Sequence, residues 1–190
     1  MRDNYRDSTI DEMLRAFDPY THSFTTIKEL HRLSHDGMVY HVSEKQTGLA
    51  NAGVFDILLK VPAGVYPHFN RAEISVGAGD VDIVMYEGTT VSADGSAKSV
   101  QNVNGNSTRT ASTTVSSGPT VTGVGTLRHT LWAPPTGAGV GSSVGLTNLG
   151  FGEEWLLKPL TNYLIRITNN SGGAIDFSYE ILFYEVDYAA

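Results

Sequence analysis

The chain changes its hydrophobic period near Gly37, and the part before that point has a helical pattern. Apolar residues recur there at the spacing of one helix face, at Ile10, Met13, Leu14 and Phe17. The N-cap pair Ser8 and Asp11 precedes this face. Asp18-Pro19 ends it, because a proline disfavours helical geometry in the residue before it. The pattern predicts a short amphipathic helix.

A second short helix is predicted from the capping pair Thr26 and Glu29, and Asp36-Gly37 ends it. Its apolar face is formed by Ile27, Leu30 and Leu33. We therefore expect an N-terminal helical arm over residues 1–36. Helices this short are marginal in isolation, so two interpretations stay open. The helices pack on their own domain, or they dock on another subunit or surface.

From Gly37 onward the apolar residues alternate with polar ones, which is the period of a β-strand. The clearest strands are predicted over 54–61, 72–76, 81–86, 163–168 and 175–183. Segments 77–80 and 169–173 are glycine-rich, and each predicts a hairpin between its flanking strands. About eight to ten strands with one apolar face each indicate an antiparallel sandwich.

Residues 88–152 are nearly free of charge, since only Asp94, Lys98, Arg109 and Arg128 are ionised. Disorder and ordinary monomer surface are two interpretations of this composition. We favour interface strands, because alternating Thr and Val suit a pleated sheet and interface cores are depleted in charge. Residues 133–150 are rich in Gly and Pro and predict a long loop. The candidate subunit-interface residues are Val121, Val124, Leu127 and Trp132.

Composition excludes several classes of function. The 190 residues carry 13 Lys and Arg against 20 Asp and Glu, a net charge of −7. This balance argues against direct nucleic-acid binding, which needs clustered cations. The absence of cysteine excludes disulfide scaffolds, thiolate metal sites and cysteine nucleophiles. No apolar run approaches the roughly 20 residues of a membrane helix, and the first seven residues lack a secretory core. We expect a soluble protein that is made inside the cell.

Candidate catalytic patterns are weak. Residues 141–145 match G-x-S-x-G, but this serine motif needs a preceding strand and a following helix, and neither is predicted here. His31 and His35 stand four apart on the second predicted helix and could share a metal. Arg32 occupies the place of the glutamate that a zincin requires, so solvent-facing histidines are the favoured interpretation.

Three further residues could bind a ligand. His68 could be a ligand or a pH-sensitive contact, although a packed turn histidine is the simpler interpretation. Asp80 and Asp82 share a strand face and could hold calcium, although solvated charges are the default. No catalytic constellation emerges from these residues. We expect no cofactor and no metal.

Three segments of the β region, 58–64, 86–95 and 154–169, resemble small virion proteins of tailed bacteriophages. In particular they resemble jelly-roll capsid decoration (cement) proteins. The resemblance spans roughly residues 38–186 and implies a non-enzymatic homotrimer on the outer surface of the head. The implied partners are the major capsid protein and further copies of the chain. The implied location is the virion, after synthesis in the host cytoplasm.

We therefore predict a jelly-roll β-sandwich over 37–190 and a capsid-docking arm whose apolar face is Ile10, Met13, Leu14 and Phe17. One alternative is a fibre-associated jelly roll that binds a host glycan. Aromatic side chains would stack on the sugar there, the candidates being Tyr66, Phe69, Trp132 and Trp155. A second alternative is a cupin-like enzyme, for which only His68 with Glu73 suggests a metal cluster.

Overall fold

The computed structural model describes residues 17–18, 23–24, 29–76, 79–134, 142–145 and 154–186, with one helix and sixteen strands. The elements are α1 (Glu29–His35), β1 (Phe17–Asp18), β2 (Ser23–Phe24), β3 (Val39–Leu49), β4 (Val54–Lys60), β5 (Tyr66–Val76), β6 (Val81–Glu87), β7 (Thr90–Ala93), β8 (Ser96–Ala97), β9 (Gln101–Asn102), β10 (Thr114–Ser117), β11 (Thr120–Gly123), β12 (Thr126–Ala133), β13 (Ser142–Gly145), β14 (Trp155–Leu156), β15 (Asn162–Asn169) and β16 (Ile175–Val186).

Two sheets form the sandwich, and their strand order is that of a jelly roll. One sheet has the order β12-β6-β15-β4-β10-β8 and the other β13-β5-β16-β3-β9, with β14 also paired to β5. Eight strands form the frame of the sandwich, four in each sheet. In chain order these frame strands are β3, β4, β5, β6, β12, β13, β15 and β16. Every pairing among the described residues is antiparallel. The predicted all-β jelly-roll sandwich is confirmed.

The two predicted hairpins are wrong, although their strands are present. β5 pairs with β16, and β6 pairs with β12 and β15, so the chain crosses from one sheet to the other between Val76 and Val81. The loop between β15 and β16 crosses in the same way, because β15 pairs with β4 and β6 while β16 pairs with β3 and β5. Glycine-rich turns permit either connection. The choice depends on which partners complete the two sheets.

The core lies between the sheets and consists of the inward residues of each strand. Alternation buries Ile57 and Leu59 on β4, while Asp56 and Lys60 point outward. The same period buries the inward residues of β6, β15 and β16, whereas a register shift interrupts it on β5 and on β12. Large core residues with 1% exposure or less include Ile57, Leu59, Phe69, Ile74, Ile83, Met85, Ile165, Ile167, Ile181 and Phe183.

The charge-poor segment between β6 and β12 is a folded insertion that extends both sheets. Its strands β10 and β8 continue the first sheet beyond β4, and β9 continues the second beyond β3. Its strands β7 and β11 pair with each other as a separate ribbon. The predicted strand character of this segment is therefore confirmed in five short strands, whereas residues 103–113 form none. Backbone pairing needs little apolar area of its own when an existing sheet supplies the partner.

Two leucines on the outward face of the first sheet are fully buried. Leu58 and Leu164 are register partners, and each has 0% exposure. Both lie outside the central core cluster, because alternation turns them away from it. The insertion runs from the end of β6 to β10, which lies on the far side of β4. It therefore has to pass β15 and β4, the strands that carry Leu164 and Leu58. It is the segment that can cover these leucines.

The predicted loop over 133–150 contains a strand. Residues 142–145 form β13, which pairs with β5 through Ser143 and Ser75 and through Val144 and Ile74. A glycine- and serine-rich sequence does not prevent this pairing, since the hydrogen bonds come from the backbone. The remainder of the predicted loop beyond Pro134 lies outside the described residues.

Helix α1 packs on the outer face of the second sheet. Leu33 is 1% exposed and forms a cluster with Val39 and Tyr184. The helix ends in a Schellman motif, in which Gly37 N–H bonds to Ser34 and Met38 N–H to Leu33. The predicted stop at Asp36-Gly37 is confirmed. For this helix, the interpretation that it packs on its own domain is correct.

The first predicted helix is wrong at its last residue. Phe17 lies in β1 and pairs with Phe24. Pro19 follows Asp18, and a residue before a proline favours extended geometry. Phe17 adopts the same extended geometry as Asp18. The other candidate docking residues, Ile10, Met13 and Leu14, lie outside the described residues.

Candidate interaction surface

The edge strand β12 carries two large apolar side chains that face solvent. Leu127 is 58% exposed and Trp132 is 57% exposed. β12 pairs with β6, and no described strand pairs with its other side. The register of β12 with β6 shifts between Leu127 and His129, and such an irregularity increases the local twist. The alternation of inward and outward side chains therefore starts anew at His129. Trp132 donates its indole N–H to Asp80 over 2.6 Å, which fixes the orientation of the ring.

The other two candidate interface residues lie in a different setting. Val121 on β11 faces Val91 on β7, and both are half-buried. Val124 is also half-buried, and its carbonyl accepts a hydrogen bond from the Thr89 hydroxyl over 2.7 Å. The four residues chosen from the sequence therefore divide into two exposed and two half-buried side chains.

A charged cluster lies at the end of the sandwich where β12 begins. Glu87 contacts Lys158 at 2.5 Å and Arg128 at 3.3 Å. The hydrogen bond from Lys158 is the main cause that lowers the pKa of Glu87 from its usual value, with burial acting in the opposite direction. Burial raises the pKa of the neighbouring Tyr163 phenol. Glu87, Arg128 and Tyr163 line a cavity of about 290 Å³ together with Trp155 and Leu156.

Leu160 is the most exposed large apolar side chain among the described residues. It is 80% exposed and adopts a φ of 54°, in the left-handed region. That conformation costs a residue with a Cβ about 1–2 kcal/mol. The alternation pattern gave no signal for this residue, because Leu160 lies in the turn before β15.

His68 has a carboxylate partner that sequence reasoning did not assign to it. Its Nδ1 lies 2.6 Å from Oε1 of Glu154, and Tyr184 donates its hydroxyl to Oε2 of the same carboxylate over 2.6 Å. The rings of His68 and Tyr184 stack with centroids 4.4 Å apart. Glu73, which the cupin-like alternative combined with His68, contacts Arg71 over 3.7 Å. The contact between His68 and Glu154 joins residues that are 86 positions apart, and sequence spacing alone could not reveal it.

The remaining candidate ligands form hydrogen bonds within the chain. Asp82 accepts a hydrogen bond from Asn170 over 2.8 Å, as Asp80 does from Trp132. Ser143 of the serine motif lies on β13. Among the residues that the structure describes, no group of three or more His, Asp or Glu side chains could hold a metal ion.

The aromatic candidates for sugar stacking differ in exposure. Phe69 is 0% exposed in the core, and Tyr66 is half-buried. Trp155 is half-buried and meets His129 edge to face, with ring centroids 5.3 Å apart. Trp132 is the one aromatic candidate of the four whose ring is exposed.

Comparison with known proteins identifies no family. No protein-family model matches the chain, and a search of curated proteins finds no match. No helix within the described ranges is both long and apolar enough to cross a membrane.

Proposed function

We propose that this chain is a structural virion protein that decorates and stabilises a bacteriophage capsid as a homotrimer. The observation that carries the proposal is the edge strand β12, which presents Leu127 and Trp132 to solvent on a jelly-roll frame. Long edge strands with exposed apolar side chains favour association with another chain. A trimer would cover this edge by placing each copy against its neighbour.

The charges of the insertion support the same proposal. Between residues 88 and 125 the charged residues are Asp94, Lys98 and Arg109. Asp94 pairs with Lys60 at 2.7 Å, and Lys98 pairs with Glu44 at 2.7 Å. Two of the three charges therefore bind within the chain. The insertion presents a largely uncharged surface, which suits close contact with another protein.

The capsid role follows from multivalency together with the resemblance of the β region to decoration proteins. A ring of three copies presents three binding surfaces to a symmetric shell, so weak contacts add to a firm attachment. A protein that binds only the assembled shell stabilises that shell by mass action. Such a function requires contact area and many copies, and it requires no reaction centre.

The trimer is tested on the exposed residues of β12. Leu127→Asp and Trp132→Asp should dissociate the trimer, because each places a charge in the interface while leaving the fold intact. Native mass spectrometry measures the oligomer, and circular dichroism checks the fold. Thr47→Asp is the matched control, since Thr47 is exposed on β3 at a distance from β12. A folded, unchanged trimer in both β12 variants would overturn this placement.

Capsid binding is tested with a truncation that keeps α1. Removing residues 1–36 would uncover Val39 and Tyr184, so the cut belongs before Glu29. The full chain and the chain lacking residues 1–28 are each mixed with undecorated heads and sedimented. If the arm is the anchor, the shortened chain should remain in the supernatant. Equal binding would rule out the arm as anchor, and no binding of either chain would refute the capsid role.

A glycan-binding role is the second candidate, and one observation favours it. The exposed ring of Trp132 stands beside Asp80, so an apolar aromatic face and a hydrogen-bonding carboxylate adjoin at the surface. A glycan array with the intact protein tests this role. Trp132→Phe keeps an aromatic ring and should retain glycan binding, whereas Trp132→Ala should abolish it. Binding to shells without binding to glycans would favour the first proposal.

A further inference from the structure

Two histidines on α1 direct the same ring nitrogen toward one point. His31 and His35 lie one turn apart, and both side chains are exposed. Their Nε2 atoms are 3.1 Å apart and share a hydrogen bond, and the ring centroids are 4.6 Å apart at an angle of 70°. The two imidazoles are thus positioned by a regular helix that Leu33 anchors to the sheet.

This separation suits two ligands of one metal ion. Metal–imidazole bonds of about 2.0–2.1 Å at angles between square and tetrahedral place the two nitrogens roughly 2.9–3.4 Å apart. The observed 3.1 Å lies within that interval. We propose that His31 and His35 bind one divalent transition-metal ion, of the zinc, nickel or copper class, through their Nε2 atoms. Imidazole nitrogen is a preferred ligand for each of these ions.

The surroundings leave room for the rest of the coordination shell. The histidines open onto a cavity of about 480 Å³ that Ser34, Asn104 and Asn106 also line. The described residues provide no third His, Asp or Glu ligand there. Water and the neighbouring amide and hydroxyl oxygens would complete the shell. Such a site exchanges its ion readily and favours ions that tolerate water ligands.

Metal binding would also reinforce the junction between α1 and the insertion. Asn104 donates its amide N–H to the carbonyl of His35 over 2.9 Å, and Asn102 donates to the carbonyl of Gly37 over 2.8 Å. The site therefore exists only while the helix is formed and docked. A metal ion that binds the folded state alone raises stability with its concentration. This inference is independent of the capsid proposal.

The test is calorimetric titration of the tag-free, chelator-treated full chain with Zn²⁺, Ni²⁺ and Cu²⁺. We expect one ion per chain, with Cu²⁺ binding most tightly. His31→Gln and His35→Gln should each weaken binding at least tenfold. His41→Gln is the matched control, because it removes a lone histidine from β3, and its affinity should equal that of the original chain. Equal binding in all four proteins, or no binding of any ion, would overturn the proposal.

Thermal unfolding gives a second measurement that does not depend on the calorimetric signal. The melting temperature should rise with Ni²⁺ concentration in the original chain and stay constant in both helix variants. Without metal the variants should melt with the original chain, since both side chains are exposed. A metal-dependent rise that persists in His31→Gln and His35→Gln would place the ion elsewhere and refute the site.

Discussion

Lys98 and Glu44 join the insertion to the edge of the sandwich, with Nζ of Lys98 2.7 Å from Oε2 of Glu44. Tyr179 donates its hydroxyl to the same carboxylate over 2.9 Å. Burial acts to raise the pKa of Glu44, but the hydrogen bonds from Lys98 and Tyr179 outweigh it and lower the pKa. Burial and the hydrogen bond to Glu44 raise the pKa of the Tyr179 phenol. The three side chains hold the charge-poor insertion against β3 and β16.

Lys98→Met should therefore destabilise the protein by about 2 kcal/mol, because it leaves a partly buried carboxylate without its cation. Urea unfolding followed by fluorescence measures the change. Lys60→Met is the control, since its pair with Asp94 also joins the insertion to the sandwich but is far more exposed. We expect about 0.5 kcal/mol or less there. Equal losses in both variants would contradict the importance of burial.

Stability should fall with acidification because of Glu87. Its pKa is lower in the folded chain than its ordinary value of 4.5, so the unfolded chain takes up the proton first. The stabilisation is complete above pH 4.5 and is lost as the pH falls from there through the folded pKa. Urea unfolding at several pH values should show that Glu87→Gln is less stable at neutral pH. The difference should shrink in acid, and a constant difference would contradict this account.

Leu58 is buried on the outward face of the first sheet, so two substitutions on this face of β4 should differ in their cost to stability. Leu58→Ala should cost about 2–4 kcal/mol, as in a core, although the side chain points away from the central core. Val54→Ala, on the same face of the same strand, should cost about 0.5 kcal/mol or less, since Val54 is 48% exposed. Chemical unfolding of the two variants measures the contrast. Similar small losses in both would show that the insertion leaves the face open.

Gly37 should tolerate no side chain. Its φ is +69°, and an added Cβ would lie 2.1 Å from Oγ of Ser107. Gly37→Ala should therefore cost more than the roughly 1 kcal/mol of left-handed geometry alone. Gly48→Ala measures the cost of the left-handed geometry alone, because Gly48 has a φ of +71° and no neighbour within 4 Å of the added Cβ. Thermal unfolding compares them, and equal losses would refute the steric argument.

The alternation of apolar and polar residues by itself determined strands β4, β5, β6, β15 and β16, whereas β13 lies in a predicted loop. Residues such as Ile165 and Ile181 are buried as that period requires. The Asp36-Gly37 pair determined the end of α1, because the capping geometry is local. These features depend on neighbours within a few positions, which a single sequence contains.

Only the tertiary structure decided which strands pair. β15 and β16 adjoin in sequence and lie in different sheets, because sheet partners are chosen by the packing of the whole sandwich. The same packing brought Glu154 to His68 and Lys98 to Glu44. It also exposed Leu127 and Trp132 while covering Leu58 and Leu164. Burial of an outward-facing residue depends on what crosses above it, and no local pattern contains that information.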